Sequence, residues 1–230
     1  MKEVLTQSVF FGMFLTLFFF QIGAWINKKL KVSFANPLLI AVACIMATLF
    51  VFDLDYEIYQ NGAKYIQYFL TPATVSLAVP LYRHLTLLKK HPKAIFISIF
   101  AGVMTTMSSI LLLSFLFQLS HQQYITLLPK SITTALGMGI SEKMGGVQAI
   151  TVIAISVTGI TGTVGAEVLC KLFRIKEPVA KGLAIGTSCH ALGTSRAMEM
   201  GEIEGAMSSL ALVVTGLMTV LAVPLFAKFL

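Results

Sequence analysis

The feature that most constrains this chain is a succession of apolar runs of bilayer length separated by short loops. Residues 5–26, 36–52, 65–82, 94–118, 147–170 and 206–228 are such runs, and a helix needs roughly 20 apolar residues to cross a hydrocarbon core about 30 Å thick. In lipid the backbone amides must be satisfied within the segment, so runs of this length become helices. Composition agrees: 57% of the 230 residues are hydrophobic and 12% charged, against about 25% charged in soluble domains. The expected fold class is all-α. It is a polytopic membrane protein of about six full transmembrane helices, leaving no length for a sizeable soluble domain. The first run follows Lys2, is rich in Phe and has no small-residue cleavage site, so it reads as a retained crossing rather than a signal peptide.

The formal charge of +7 is concentrated in three short loops. They hold Lys28, Lys29 and Lys31; then Arg83, Lys89, Lys90 and Lys93; then Lys171, Arg174, Lys176 and Lys181. Basic residues in short loops beside apolar spans mark the cytoplasmic face. The stretch DLDYEIYQNGAKY, with Asp53, Asp55 and Glu57, reads as a loop on the opposite side. No aromatic and basic stripe of the nucleic-acid-binding kind accompanies these charges. The three cysteines lack metal-ligand or disulfide spacing. There is no Gly-x-Ser-x-Gly elbow, His-Glu-x-x-His pair or phosphate loop. No catalytic residue, cofactor or metal site is therefore expected, and the chain does not read as an enzyme.

Two stretches differ from the other spans. Residues 125–146 and 182–205 are too polar and glycine-rich to face lipid, yet carry no loop-like run of charge. They resemble each other: Ala135-Leu136-Gly137 matches Ala191-Leu192-Gly193 after 56 residues, and Val157-Thr158-Gly159 matches Val214-Thr215-Gly216 after 57. The charges place His121 outside and Lys171 inside, an odd number of crossings. Span 147–170 supplies one crossing, so 125–146 supplies an even number, most simply as a hairpin that dips in and returns. By the same logic 182–205 dips in from the cytoplasm, and the two copies form an inverted repeat. Paired broken or re-entrant elements meeting near the midplane are a feature of transporters, since irregular backbone at that depth is tolerated where it lines a wet cavity. The chain thus divides into a four-helix, scaffold-like region, 1–120, and a core, 121–230, with a dimer expected through the apolar first spans.

Candidate binding residues follow from these stretches. Lys130, Ser131, Thr133 and Thr134 come just after Pro129, which suits a helix start whose free N–H groups face an anion. Thr187, Ser188, His190, Thr194, Ser195 and Arg196 form the densest polar cluster. Hydroxyls and N–H groups there bind a carboxylate without a permanent buried charge, while Arg196 offers a bidentate fork and His190 titrates near neutral pH. Duller readings stand beside these: Lys130 snorkels to the interface, the hydroxyls are helix-packing residues, and Arg196 pairs with Glu199 one turn away. Glu142 and Glu199 are either interfacial or couple protons or cations to transport. Glu167 reads as snorkelling inward. Pro72 and Pro80, around Thr74 and Ser76, mark a kink in the third span.

The runs FLTPATVSLAVPLY (69–82), LLPKSITTALGMGISEKMGG (127–146) and GLAIGTSCHALGTSRAMEMGEIEGAMSSLALVV (182–214) resemble the CidB/LrgB family in order and spacing. Ala135 departs from the pattern, where several relatives carry proline. The resemblance implies a multi-pass protein of the bacterial inner membrane, with a smaller hydrophobic partner of the CidA/LrgA type. It implies holin- or antiholin-like control of murein hydrolase activity and lysis. A plastid relative that carries glycolate and glycerate, and bacterial members linked to pyruvate, imply instead a carrier of small carboxylate anions.

Overall fold

The computed structural model describes residues 8, 10–30, 37–69, 72, 75–76, 78–83, 86, 89 and 92–230, and every regular element among them is a helix. The chain forms two compact units, Met1–Ser76 and Leu77–Leu230. The long helix expected to close the N-terminal region at 120 therefore folds with the second unit.

In the first unit α1 (Phe11–Leu30) packs against α2 (Pro37–Val51) and α3 (Tyr56–Gln67). Two glycines set the approach: a methyl on Gly12 would lie 1.9 Å from the Tyr59 carbonyl oxygen, and one on Gly23 would lie 2.6 Å from that of Pro37. The Thr16 hydroxyl donates to the Gly12 carbonyl at 2.7 Å and pairs with the Tyr59 hydroxyl at 2.9 Å. Helix α3 corrects the expected loop over 53–65. Asp55 takes the extended conformation of an N-cap, Glu57 lies in the first turn and Lys64 in the last, a charge order that complements the helix dipole. Tyr59 and Ala63, one turn apart, meet α1. The sequence reads as a loop because the apolar residues of that side, Ile58, Tyr59, Ala63 and Ile66, are scattered among polar ones.

The second unit comprises α4 (Ala78–Arg83), α5 (Pro92–Leu116), α6 (His121–Leu127), α7 (Thr134–Met144), α8 (Gln148–Leu172), α9 (Pro178–Met200) and α10 (Glu202–Phe226). Helix α4 ends the expected third span, of which residues 70, 71, 73, 74 and 77 lie outside the described residues. Helices α5, α8 and α10 have 25 residues each and are apolar enough to cross a membrane, at about 37 Å each. Helix α10 is central, packing on α9, α5, α4 and α7. A methyl on Gly182 would lie 2.4 Å from the Glu204 carbonyl oxygen, and one on Gly186 2.3 Å from that of Ser208. Small residues let two backbones approach in this way. Leu112, Leu113, Val157, Leu217 and Leu221 remain exposed outward.

Helices α2, α5, α7 and α8 end in one turn type, with Asp53, Gln118, Gly145 and Arg174 at positive φ. The next amide donates back across the turn, as in Ile175 N–H to the Cys170 carbonyl at 2.8 Å and Gly146 N–H to the Ser141 carbonyl at 2.8 Å. Carbonyls left free at the helix end are thereby satisfied.

Both polar stretches fold back on themselves. Ser120 and Gln123 cap α6 reciprocally, and Leu128–Thr133 turns the chain into α7. The start of α6 then meets the end of α7: the Gln122 side-chain amide donates to the Gly145 carbonyl at 3.2 Å, and the Val147 amide donates to the Thr126 hydroxyl at 2.9 Å. Helix α9 breaks at His190, with φ 44° and ψ −140°. A methyl on Gly193 would lie 3.3 Å from the Ile185 carbonyl oxygen, whereas eight residues of unbroken helix span about 12 Å. Gly137 has the matching relation, 3.4 Å to the Pro129 carbonyl oxygen. The first hairpin leaves and re-enters beside the start of α8. The second does so beside its end, where Lys181, Glu199 and Met200 share a cavity with Lys171 and Arg174. Boundaries shift from those expected: the second hairpin occupies 178–200 rather than 182–205, so Glu202 and Glu204 fall in the first turn of α10.

Candidate functional site

The two hairpin tips converge on Ile155, seven residues into α8. A methyl on Gly137, from the first hairpin, would lie 2.4 Å from the Ile155 Cδ1 atom. From the second hairpin, His190 Nε2 lies 3.0 Å from the Ile155 carbonyl oxygen; a carbonyl only accepts, so Nε2 carries the proton. The α8 face beyond Ile155 is glycine. A methyl on Gly159 would lie 2.6 Å from His190 Cε1, and one on Gly162 would lie 2.0 Å from Cys189 Sγ. Larger residues at either position would displace the tip. His190 is also the residue whose backbone makes the turn, in a region that disfavours any side chain.

Lys130 lies in the turn of the first hairpin, half-buried, its Nζ donating to the Ser131 hydroxyl at 3.4 Å. It is within electrostatic range of both Cys189 and His190. Ser131 is buried. Pro129 does not start a helix: it follows the end of α6, and Lys130 N–H donates back to the Leu127 carbonyl at 3.1 Å. Proline is common just after a helix ends because it cannot continue one. The helix start lies four residues on, where Thr133 is extended and makes no side-chain cap, leaving the first-turn N–H groups from Thr134 without one.

The remaining candidates spread along the second hairpin. The Thr187 hydroxyl donates to the Leu183 carbonyl at 2.7 Å and its methyl faces Gly102 of α5, a packing role. Ser188, exposed at the tip, donates to the Ala184 carbonyl at 2.5 Å and pairs with the Cys189 thiol at 3.3 Å. Thr194, fully buried, donates to the His190 carbonyl at 2.9 Å and meets the Ser208 hydroxyl at 2.9 Å. Ser195 is exposed on the returning arm. Arg196 is not brought to the tips. Its guanidinium is held between Glu199, at 2.5 Å, and Glu167 of α8, near the mouth of the hairpin. Glu142 is exposed at the end of α7, away from this triad.

Two site residues escape sequence reasoning. Glu167 is the partner of Arg196, and its signal was an acid inside an apolar span. Thr215 lies one turn beyond Ala211, which faces Gly186 of the second hairpin. Its buried hydroxyl has no hydrogen-bond partner among the described residues, and its signal was its place in the repeated Val-Thr-Gly triplet. Among the described residues no three of His, Cys, Asp and Glu are placed to hold a metal ion.

An exterior of exposed aliphatic side chains, helices of membrane length and polar groups gathered at two inward hairpins define an all-helical, multi-pass membrane protein. Comparison makes this specific. The model of the LrgB-like family matches residues 16–229, and the chain belongs to that family. It is 38% identical over 224 residues to the antiholin-like protein LrgB of Bacillus subtilis (strain 168), covering 97% of both chains. It is 36% identical over 225 residues to the proteins of the same name from Bacillus cereus (strain B4264) and Bacillus anthracis (strain CDC 684 / NRRL 3495), covering 97% of this chain and 98% of each relative. No solved structure matches the chain.

Proposed function

We propose that this chain acts in the bacterial inner membrane as an antiholin-like protein, as its Bacillus relatives are described. The observation that carries this reading is similarity over 97% of both chains, which takes in both hairpins and all three long helices. An antiholin opposes the lesion that a pore-forming membrane protein makes by oligomerising. The chemistry needed is a lipid-embedded surface for a small hydrophobic partner of the CidA/LrgA type, or for a second copy of the chain. Co-expression with a pore-forming holin tests it: lysis should come later, and less of a membrane-impermeant dye should leak, than with the holin alone. Unchanged lysis timing, with the chain present in the membrane, removes the reading.

A second reading, a carrier of small carboxylates such as glycolate, glycerate or pyruvate, is favoured by Lys130. A half-buried ammonium beside two hairpin tips and an uncapped helix start is suited to hold an anion. In this reading six crossings and two re-entrant hairpins form an inverted repeat, with the Lys171–Lys181 loop in the cytoplasm. Reciprocal packing supports the repeat. Gly159 of the first copy meets Leu192 of the second, and Gly216 of the second meets Leu136 of the first, at 2.8 and 3.2 Å from an added methyl. Ser131, Thr134, Ser188 and Thr215 would supply donors, His190 would orient the tip, and coupling through His190, Glu142 or Glu199 would appear as a pH-dependent rate. Proteoliposomes should take up labelled carboxylates saturably, and Lys130→Ala should lower uptake by tenfold or more while the protein stays folded. Failure across the whole panel at two pH values would sink the carrier.

A further inference from the structure

A cavity of about 610 Å³ opens where α8 ends and the second hairpin leaves and returns. Its size falls in the range of small-molecule sites, about 300–1,000 Å³. Four cations line it: Lys171, Arg174, Lys176 and Lys181. The acids around them are largely committed. Glu167 and Glu199 are both held by Arg196, and Glu204 lies 4.0 Å from Lys181. Lys171, Arg174 and Lys176, all exposed, make no ion pair among the described residues. Arg196 leaves one carboxylate's charge in excess, so the cavity stays net positive.

The wall is not purely polar. Ile175 and Met200 line it, and Val168, Leu169, Leu172 and Phe173 on the adjoining turns of α8 face outward. A ligand with a charged head and an apolar body matches both features. The geometry points to a binding site here for a phosphate-bearing anion, separate from the hairpin tips and their Lys130. Phosphate is the favoured head because it presents several acceptor oxygens to cations spread over one turn and the following loop, and because the Arg174 fork can engage two of them. Basic pockets between membrane helices on the cytoplasmic side bind lipid head groups by this chemistry. The same head on a soluble phosphate ester would use the same side chains.

Arg174 supplies a clean variant. Its φ of 53° is one that glycine adopts without penalty, so Arg174→Gly removes the guanidinium and keeps the turn. The full-length protein in neutral detergent would be titrated with phosphatidylglycerol, phosphatidylcholine and glycerol phosphate, with binding read by native mass spectrometry. The wild type should favour a phosphate anion over phosphatidylcholine. The double variant Lys171→Gln/Arg174→Gly should bind it about 30-fold more weakly, each basic residue near a membrane surface contributing about fivefold, with an unchanged melting temperature without ligand. Lys176→Gln, in the exposed loop, should weaken it about fivefold and leaves the turn untouched. Lys28→Gln/Lys29→Gln, at the end of α1, should bind like the wild type. Binding of phosphatidylglycerol alone makes the ligand a lipid, and binding of glycerol phosphate makes it a soluble ester; both support the site. Equal affinity for phosphatidylcholine, unchanged affinity in the α8 variants, or an equal loss in the α1 control would overturn it.

Discussion

Single glycines show where the backbone has no slack. An added methyl on Gly186 would meet the Ser208 carbonyl oxygen at 2.3 Å and its Cα at 2.8 Å, atoms that cannot swing aside. Gly186→Ala should destabilise the protein by about 1–3 kcal/mol, the usual cost of overpacking. Gly139, inside α7, has nothing within 4 Å of the same position. Gly139→Ala should therefore stabilise by about 0.5–1 kcal/mol, because alanine is the better helix former. Thermal melts of both variants by circular dichroism check the pair; the same sign for both would contradict the geometry. His190 makes a different point. Its φ of 44° and ψ of −140° suit glycine, so His190→Gly should be more stable than His190→Ala by about 1–3 kcal/mol. No sequence pattern announces that strain. The residue type was legible as a candidate, but its role as the turning point was not, because backbone angles answer to what the tip packs against.

The break in α9 turns a helix into a hairpin, and charges fasten its open end. Arg196 joins the returning arm to α8 through Glu167. Removing the cation strands the partly buried Glu167 carboxylate beside the exposed Glu199, which costs more than removing the Arg196–Glu167 pair together. Arg196→Gln should speed hydrogen exchange in 178–200 and leave 121–144 as it is, while Glu167→Gln/Arg196→Gln should exchange more slowly than the single variant. Equal exchange in the two would show that the triad does not hold the hairpin. The first hairpin is fastened without charge: the Thr151 hydroxyl meets the Thr126 carbonyl at 2.9 Å and the Ser141 hydroxyl at 2.8 Å. The long helices were legible to within a few residues, since each is an uninterrupted apolar run. Helix α3 was not, because the face it packs on, the glycine-lined side of α1, lies far away in sequence. The Pro129 helix start was misplaced for a related reason, as proline serves both ends of a helix and the neighbouring turn decides which.

Across the second unit, the two copies of the repeated pattern hold each other. Gly159 packs under Leu192, and Gly216 packs against Leu136, so each span seats the other copy's hairpin. Bulk should therefore act at a distance in sequence. Gly216→Leu should raise hydrogen exchange around 134–137 with little change at 190–193, and Gly159→Leu should do the reverse. Exchange rising only beside each substituted residue would dismiss the reciprocal arrangement.

The order of apolar runs determined by itself that the chain is all-helical and built for lipid. The polar, glycine-rich make-up of 125–146 and 182–205 set those two stretches apart from the other spans. Both are properties of composition and chain length, because desolvation of backbone and charge acts on every segment alone. Where Lys130, His190 and Arg196 finally lie was decided by tertiary contacts. His190 is brought to the Ile155 carbonyl of α8, while Arg196, six residues further on, is drawn to Glu167 nearer the end of that helix. A strong ion pair in a partly buried setting outweighs proximity along the chain, and that competition becomes visible only once α8 stands between the two hairpins.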